Sequence, residues 1–348
     1  MNTEVVVARE DCDQRSRAAT DRAVELLRQG EVVALPTETV YGLAADALRP
    51  DAVVKIYEAK ERPRFDPLIV HLPDQSWLER VTEISTQNSK IVSRLVSAFW
   101  PGPMTVILTK TALVPDIVTA GLDTVAVRIS GNPVFQEVIR AFGKPLAAPS
   151  ANRFGRISPT TAEHVLNELE SRIPLIVDGG STTHGVESTI VAVRDGQVEI
   201  LRPGPVTKED LCGIGCQPTE YRSGLAHRPA TDATAPIIRA PGQLPVHYAP
   251  KTPLRLINKA DIFSPAENRR VGLLAWHRIG PAERFAMTRL LSETQDLREA
   301  AANLFSYLRE LDALDLDLIV AEQVPEEGLG RAINDRLRRA AGGGGFVG

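Results

Sequence analysis

Lys60, Arg62 and Arg64 alternate through AKERPRFDPLIVHL at the end of an amphipathic helical pattern, and Pro63 and Pro67 stiffen the turn that follows. Three cations near one fixed turn can grip a polyanion, because phosphate oxygens need charged donors and exclusion of water strengthens each contact. A solvated charge run explains the same letters, but such a run has no use for two prolines. The next apolar run delivers His71, a residue type that at a strand end is more often structurally satisfied than a ligand. A second constellation is LPTETVYGL, Leu35 to Leu43, which sets Thr37, Glu38, Thr39 and Tyr41 just after a strand pattern, where a sheet edge opens into a crevice. Residue types alone favour a plainer reading, a strand-to-helix turn rich in caps.

A third stretch, LAAPSANRFGRISPT, runs from an apolar strand into Ser150, Asn152, Gly155 and Ser158 before a helix that Thr161 begins. Small hydroxyls, an amide and a helix N-terminus can cradle an anion with neutral donors. A serine-rich loop with an N-cap accounts for the composition equally well. Arg128, inside TVAVRIS, and Arg202, in LRPG, are costly to bury unpaired, so each is expected to face a ligand or a carboxylate. Glu187 and Ser188 in HGVESTI are matching polar residues at another strand end. There is no GxxxxGK[ST], HExxH or GxSxG, and GLGRAI at Gly328 lacks the third glycine of a dinucleotide fingerprint.

The elements that must position these groups alternate between helix and strand, the signature of helices packed on a sheet. Helices are predicted over 15–28, 51–60, 133–142 and 161–169, and strands over 32–35, 68–71, 105–108, 124–129, 146–148, 175–178 and 188–193. From 221 to 250 the pattern dissolves into Pro, Gly, Ala and Thr, which marks a linker. Beyond it, strands at 254–257, 271–275 and 318–321 with helices at 299–311 and 331–340 make a second, smaller α/β unit. The expected organisation is therefore a catalytic unit over 1–220, a linker or lid over 221–250 and an α/β unit over 251–348. A length of 348 residues fits two cores, and a net charge of -4 with a pI near 6.0 leaves room only for a local basic pocket, not a general nucleic-acid surface. Cys12, Cys212 and Cys216 form neither a disulfide framework nor a zinc finger, and no signal or membrane-spanning run is visible, so a reducing, cytoplasmic setting is expected.

Taken together the segments resemble the threonylcarbamoyl-adenylate synthases with a YrdC-like domain, in the long form with an additional C-terminal domain. PTETVYGL, Lys60-Glu61-Arg62, PLIVH, TVAVR, PSAN, SPT, GVEST and LRPG occur in that family's order across Arg28 to Gly204, and PGQLPVHYAP and GLGRAINDRLRRAA extend the likeness over the rest. The resemblance implies an α/β fold, a YrdC-like mixed twisted sheet flanked by helices followed by a Rossmann-like unit. It implies threonine among Thr37, Thr39, His71, Arg128, Ala148 and Ser188, with Arg128 gripping the carboxylate bidentately. It implies ATP among Lys60, Arg62, Asp66, Thr124, Ser150, Asn152, Ser158 and Arg202, with His247 and Tyr248 arriving from the linker as a lid. Asp66 stands where many relatives carry Asn, and a carboxylate cannot donate as an amide does.

The implied reaction joins L-threonine, bicarbonate and ATP into threonylcarbamoyl-adenylate with release of pyrophosphate, Lys60 and Arg62 acting on the transferring phosphate. Magnesium enters with ATP and is not expected on protein ligands, no tightly bound organic cofactor is implied, and no membrane is involved. The partners implied are a threonylcarbamoyl transferase complex and, beyond it, tRNA, whose adenosine beside the anticodon is modified. Two other readings remain open: an RNA-binding module without catalysis, and a carbamoyl-adenylate-forming maturation enzyme, which would carry zinc-finger cysteines absent here. The C-terminal unit is expected to regulate lid position.

Overall fold

A computed structural model describes residues 2–8, 14–220, 240, 247–258, 263, 265–266, 268–278 and 284–342. Apart from Ala240 and 247–250, the linker expected over 221–250 lies outside the described residues, as do Cys12 and most of the terminal glycine run.

The strands of the larger sheet are β1 (Glu4–Val7), β2 (Val33–Leu35), β3 (Gly42–Asp46), β4 (Ile69–His71), β5 (Thr82–Glu83), β6 (Met104–Lys110), β7 (Thr124–Arg128), β8 (Leu146–Ala147), β9 (Leu175–Asp178), β10 (Thr189–Arg194), β11 (Gln197–Arg202) and β12 (Thr219–Glu220). They lie in the order β1-β9-β2-β3-β8-β4-β7-β6-β10-β11-β12, with β5 paired to β6, and mix parallel and antiparallel neighbours. The helices are α1 (Gln14–Arg28), α2 (Pro50–Lys60), α3 (Leu78–Val81), α4 (Thr86–Phe99), α5 (Asp116–Thr119), α6 (Pro133–Phe142), α7 (Ala162–Leu169) and α8 (Lys208–Gly213).

Local chemistry sets the ends. Pro50 opens α2, and Glu61 closes it in the left-handed region at φ 54°, donating its N–H to Glu58 and Tyr57 carbonyls. That reversal sends the Lys60 and Arg62 side chains different ways. Asn132 caps α6 by accepting the Phe135 N–H, and Gly143 ends it. One expectation fails here. PTETVYGL leads into antiparallel β3, not a helix, because Gly42 to Asp46 is a small, wholly buried run that fits between β2 and β8. The amphipathic α4 had not been anticipated.

Burial along β7 shows where the site must lie. Val125 and Val127 enter the main core with Tyr41, Leu43, Ile56 and Val106. Ala126 turns to the opposite face, where Ile69, Ile107, Ile190, Ala192 and Leu201 form a thin apolar floor with Ala240. Side chains alternate across a strand, so Thr124 and Arg128 flank Ala126 on that floor.

A second sheet, β13 (Leu254–Ile257), β14 (Val271–Ala275), β15 (Met287–Leu290) and β16 (Leu318–Glu322), is all parallel in the order β13-β16-β14-β15 and carries α9 (Leu297–Asp312) and α10 (Gly330–Ala340). Its core is continuous with segments of the first unit. Leu304, Phe305, Leu308, Ile333 and Leu337 pack in one cluster with Val40, Ile157, Val186 and Tyr248.

Candidate functional site

The turns after β2 and β8, the ends of β4, β7 and β11 and the approach to β10 meet at one cavity. Register explains the convergence: β4 and β7 run parallel with His71 beside Arg128, and Arg202 at the end of β11 pairs with Ile190, two residues beyond Ser188. Thr37, Thr39, Arg62, His71, Arg128, Ala148, Ser150, Ser188, Arg202, His247 and Tyr248 all line this cavity, together with Glu187.

The Thr37 hydroxyl oxygen accepts the Thr39 and Val40 N–H groups at 3.1 and 3.2 Å, a tight turn that presents Thr39 to Arg128. Arg128 donates from Nη1 to Thr39 Oγ1 (3.0 Å) and from Nε to the Gly102 carbonyl (3.2 Å), and its Nη2 lies 2.6 Å from Glu38 Oε1. Burial opposes the charge on Glu38, but Arg128, the Ser130 hydroxyl and the Gly131 N–H overcome it and hold this carboxyl down at about 2. The guanidinium is thus already engaged along both sides. Thr39 and Gly102 take one Nη1 N–H and the Nε–H, and the N–H groups left on the two terminal nitrogens are the donors open to a ligand carboxylate.

His71 is buried and kept neutral, its value lowered to about 3 by burial and by the neighbouring Arg128 charge, and its Nδ1 has no hydrogen-bond partner among the described residues. Arg202 holds the Ser188 carbonyl from Nε (3.1 Å) and Nη2 (2.9 Å), and Nη2 also reaches the Ser188 hydroxyl. Arg62 donates to the Asp66 and Pro67 carbonyls and stands 2.9 Å from the Asp66 carboxylate.

Several expected nucleotide contacts lie elsewhere. Lys60 is fully buried behind the cavity, donating Nζ to the Ser150 carbonyl (2.5 Å) and to the Asn152 carbonyl; burial pushes its ammonium well below the ordinary lysine range. In this conformation it clamps a loop. Asp66 is fully buried against Arg62, with burial raising its carboxyl above the usual value. The neutral-donor cradle is not assembled. The Asn152 amide donates to the Arg153 and Arg156 carbonyls, the Ser158 hydroxyl donates to Glu187 Oε1, and the start of α7 is satisfied by Thr161. Short polar side chains here find loop partners before any ligand arrives. Thr124 shares the apolar floor but stands at the far end of β7, roughly 13 Å from Arg128, in an adjoining concavity with Ile107, Ala192 and Leu201.

His247 and Tyr248 close the cavity. Tyr248 stacks on Phe305 of α9 at 5.6 Å, and the His247 ring meets Tyr248 edge-on at 4.2 Å. The free volume left inside is about 40 Å³, far below the roughly 300 Å³ at the small end of ligand pockets. The sequence reading also overlooked Arg336. It is fully buried on α10 and donates from Nε to Glu187 Oε2 at 2.7 Å. The available signal was its place on the apolar stripe of Ala332, Ile333, Leu337 and Ala340, where an unpartnered arginine would be expelled. Among the described residues no group of carboxylates, histidines or cysteines is arranged to hold a metal, and no helix is long and apolar enough to cross a membrane.

The chain matches two family descriptions: "Telomere recombination", the Sua5, yciO and yrdC group, over residues 25–204, and "Threonylcarbamoyl-AMP synthase, C-terminal domain" over 206–342. It is 42% identical to the threonylcarbamoyl-AMP synthase of Bacillus subtilis over 92% of both chains. Against that of Pyrococcus abyssi it is 37% identical, over 92% of this chain and 93% of the relative. The crystal structure of P. abyssi Sua5 complexed with L-threonine superposes with a TM-score of 0.84 at 33% identity, covering 97% of this chain and 98% of that one.

Proposed function

The chain belongs to the threonylcarbamoyl-AMP synthase family, and from that premise we propose that it joins L-threonine, bicarbonate or its carbon dioxide, and ATP into L-threonylcarbamoyl-adenylate with release of pyrophosphate. The observation that carries this reading is the convergence of Thr37, Thr39, His71, Arg128, Ser188 and Arg202, from separate stretches of sequence, on one cavity. The reaction needs no protein nucleophile. The threonine amine takes up carbon dioxide to give a carbamate, and a carbamate oxygen attacks the α-phosphorus as pyrophosphate leaves. What the protein supplies is alignment of the reactants and fixed positive charge at the transferring phosphate.

In this assignment Arg128 takes the threonine carboxylate on its remaining donors, and the hydroxyls of Thr37 and Thr39 and the Ser188 end of β10 surround the amino acid. His71, neutral across the physiological range, offers a ring nitrogen to the threonine hydroxyl without adding charge. Arg62 and Arg202 face the phosphates, with Ser150 beside them. Lys60 acts through the Ser150–Asn152 loop, and Asp66 holds Arg62. Magnesium enters on the phosphates of ATP as part of the substrate. We further divide the chain into a catalytic unit over 1–220, a closing segment that ends in His247 and Tyr248, and a C-terminal unit from 251. The cytoplasm as location, and a transferase complex that carries the product to a tRNA adenosine, belong to the same reading.

The test is to incubate the full chain with ATP, labelled bicarbonate and each of several amino acids and to separate the products. Labelled carbon should enter an adenylate with threonine, and serine, lacking one methyl, should work about 10–200-fold less well. ATP turnover that ignores threonine, or an adenylate without the label, would overturn the reading.

A further inference from the structure

We propose that Arg336, on α10 of the C-terminal unit, is a positioning residue of the nucleotide site, which it serves by cancelling the charge of Glu187 in the cavity wall. The inference rests on the reading of that cavity as the place of ATP.

Glu187 is a carboxylate in the lining of a cavity that has to receive a polyanion. Its Oε1 accepts the Ser158 hydroxyl, and its Oε2 faces Arg336 Nε at 2.7 Å. Uncompensated, this charge would repel phosphate oxygens across a poorly solvated space, where the penalty for like charges is greatest. Arg336 is the cation paired with it, reaching Glu187 from behind the lining, from the C-terminal unit. Two of its three remaining contacts concern the site as well. Nη2 donates to the Pro203 carbonyl, next to Arg202, at 3.1 Å. Nη1 is held by Asp335 at 2.7 Å, and the guanidinium lies 5.2 Å from the Tyr248 ring centroid, over the residue that closes the cavity. One side chain thus neutralises the wall, braces the strand end that carries Arg202 and seats the closing tyrosine. A planar fork does this where an ammonium on a flexible stem cannot.

A structural role and this role make different predictions for compensating variants. The full chain is prepared as wild type, R336M, E187Q and the double variant R336M/E187Q, and KM for ATP, KM for threonine and kcat are measured by threonine-dependent pyrophosphate release, with thermal melts alongside. R336M should raise KM for ATP about tenfold or more and move KM for threonine much less. The double variant, a neutral pair of similar shape, should return KM for ATP to within about threefold of wild type. Should R336M fail to melt cooperatively, the double variant decides alone: a KM for ATP within about threefold of wild type supports the proposal and one raised about tenfold or more overturns it. A folded double variant with KM for ATP raised as far as in R336M, or a folded R336M with unchanged KM for ATP, overturns the proposal. Loss of threonine-dependent pyrophosphate release by the wild type itself would instead strike the functional reading on which the proposal rests.

Discussion

Glu38 and Arg128 show how a single ion pair governs both stability and the substrate pocket. The carboxyl sits at about 2 when folded against 4.5 when exposed to solvent. A depressed carboxylate stabilises the fold above its unfolded value and loses that contribution as pH falls through the folded value. Through Glu38, Arg128 together with the Ser130 hydroxyl and the Gly131 N–H should therefore contribute about 3 kcal/mol near neutrality, lost between roughly pH 4.5 and 2. Denaturant titrations across that window should give Glu38→Gln a shallower fall in stability than wild type. Parallel slopes would mean that the pair is solvated and that Arg128 is freer for a ligand than its contacts imply. At this scale the sequence was readable where charge demanded a partner: Arg128 and Arg202 inside apolar strands announced buried roles. It was unreadable where a side chain chooses between ligand and loop. Nothing in PSAN or SPT tells that Asn152 and Ser158 spend their donors on Arg153, Arg156 and Glu187.

The elements add a constraint that residue types do not express. Lys60 ends α2, and the left-handed Glu61 turns the chain so that the ammonium points back at the loop after β8 while Arg62 goes forward to the cavity. Sequence reasoning gave both cations one role, from their spacing on the turn and from the resemblance of Lys60-Glu61-Arg62 to the family's motif. The geometry separates them. Lys60→Met should lower threonine-dependent turnover about 100-fold and, in the same variant, accelerate amide hydrogen exchange across residues 150–156. Lost turnover with unchanged exchange would return Lys60 to direct contact with substrate. Helix and strand periodicity located most elements within one or two residues, since α1, α6 and β9 carry strong amphipathic or wholly apolar patterns with clear stops. It missed β3 because a buried five-residue run starting on glycine has neither alternation nor a helical stripe.

For the whole molecule, the two units cannot be considered apart. Gly185, at φ 68°, meets α9 so closely that a Cβ there would come within 2.3 Å of the Ala301 carbonyl oxygen, and Arg309 of α9 donates to the Ile157 carbonyl. With Arg336 on Glu187 and Phe305 beneath Tyr248, the C-terminal unit backs two residues of the cavity lining. Sequence reasoning placed this unit as α/β and expected it to regulate lid position, but named no residue that would do so, because contacts between distant stretches leave no periodic trace. The same distance hid the tightness of the closed site.

The central claim is that one cavity seats ATP and threonine together. A crystal structure of the full chain with L-threonine and a non-hydrolysable ATP analogue tests it most directly. The threonine carboxylate should lie at Arg128 and phosphate oxygens at Arg62 and Arg202, each within roughly 3 Å, with His247 and Tyr248 displaced from their present contacts to admit the nucleotide. Threonine and nucleotide bound in separate cavities, or the nucleotide resting on the second sheet, would contradict it.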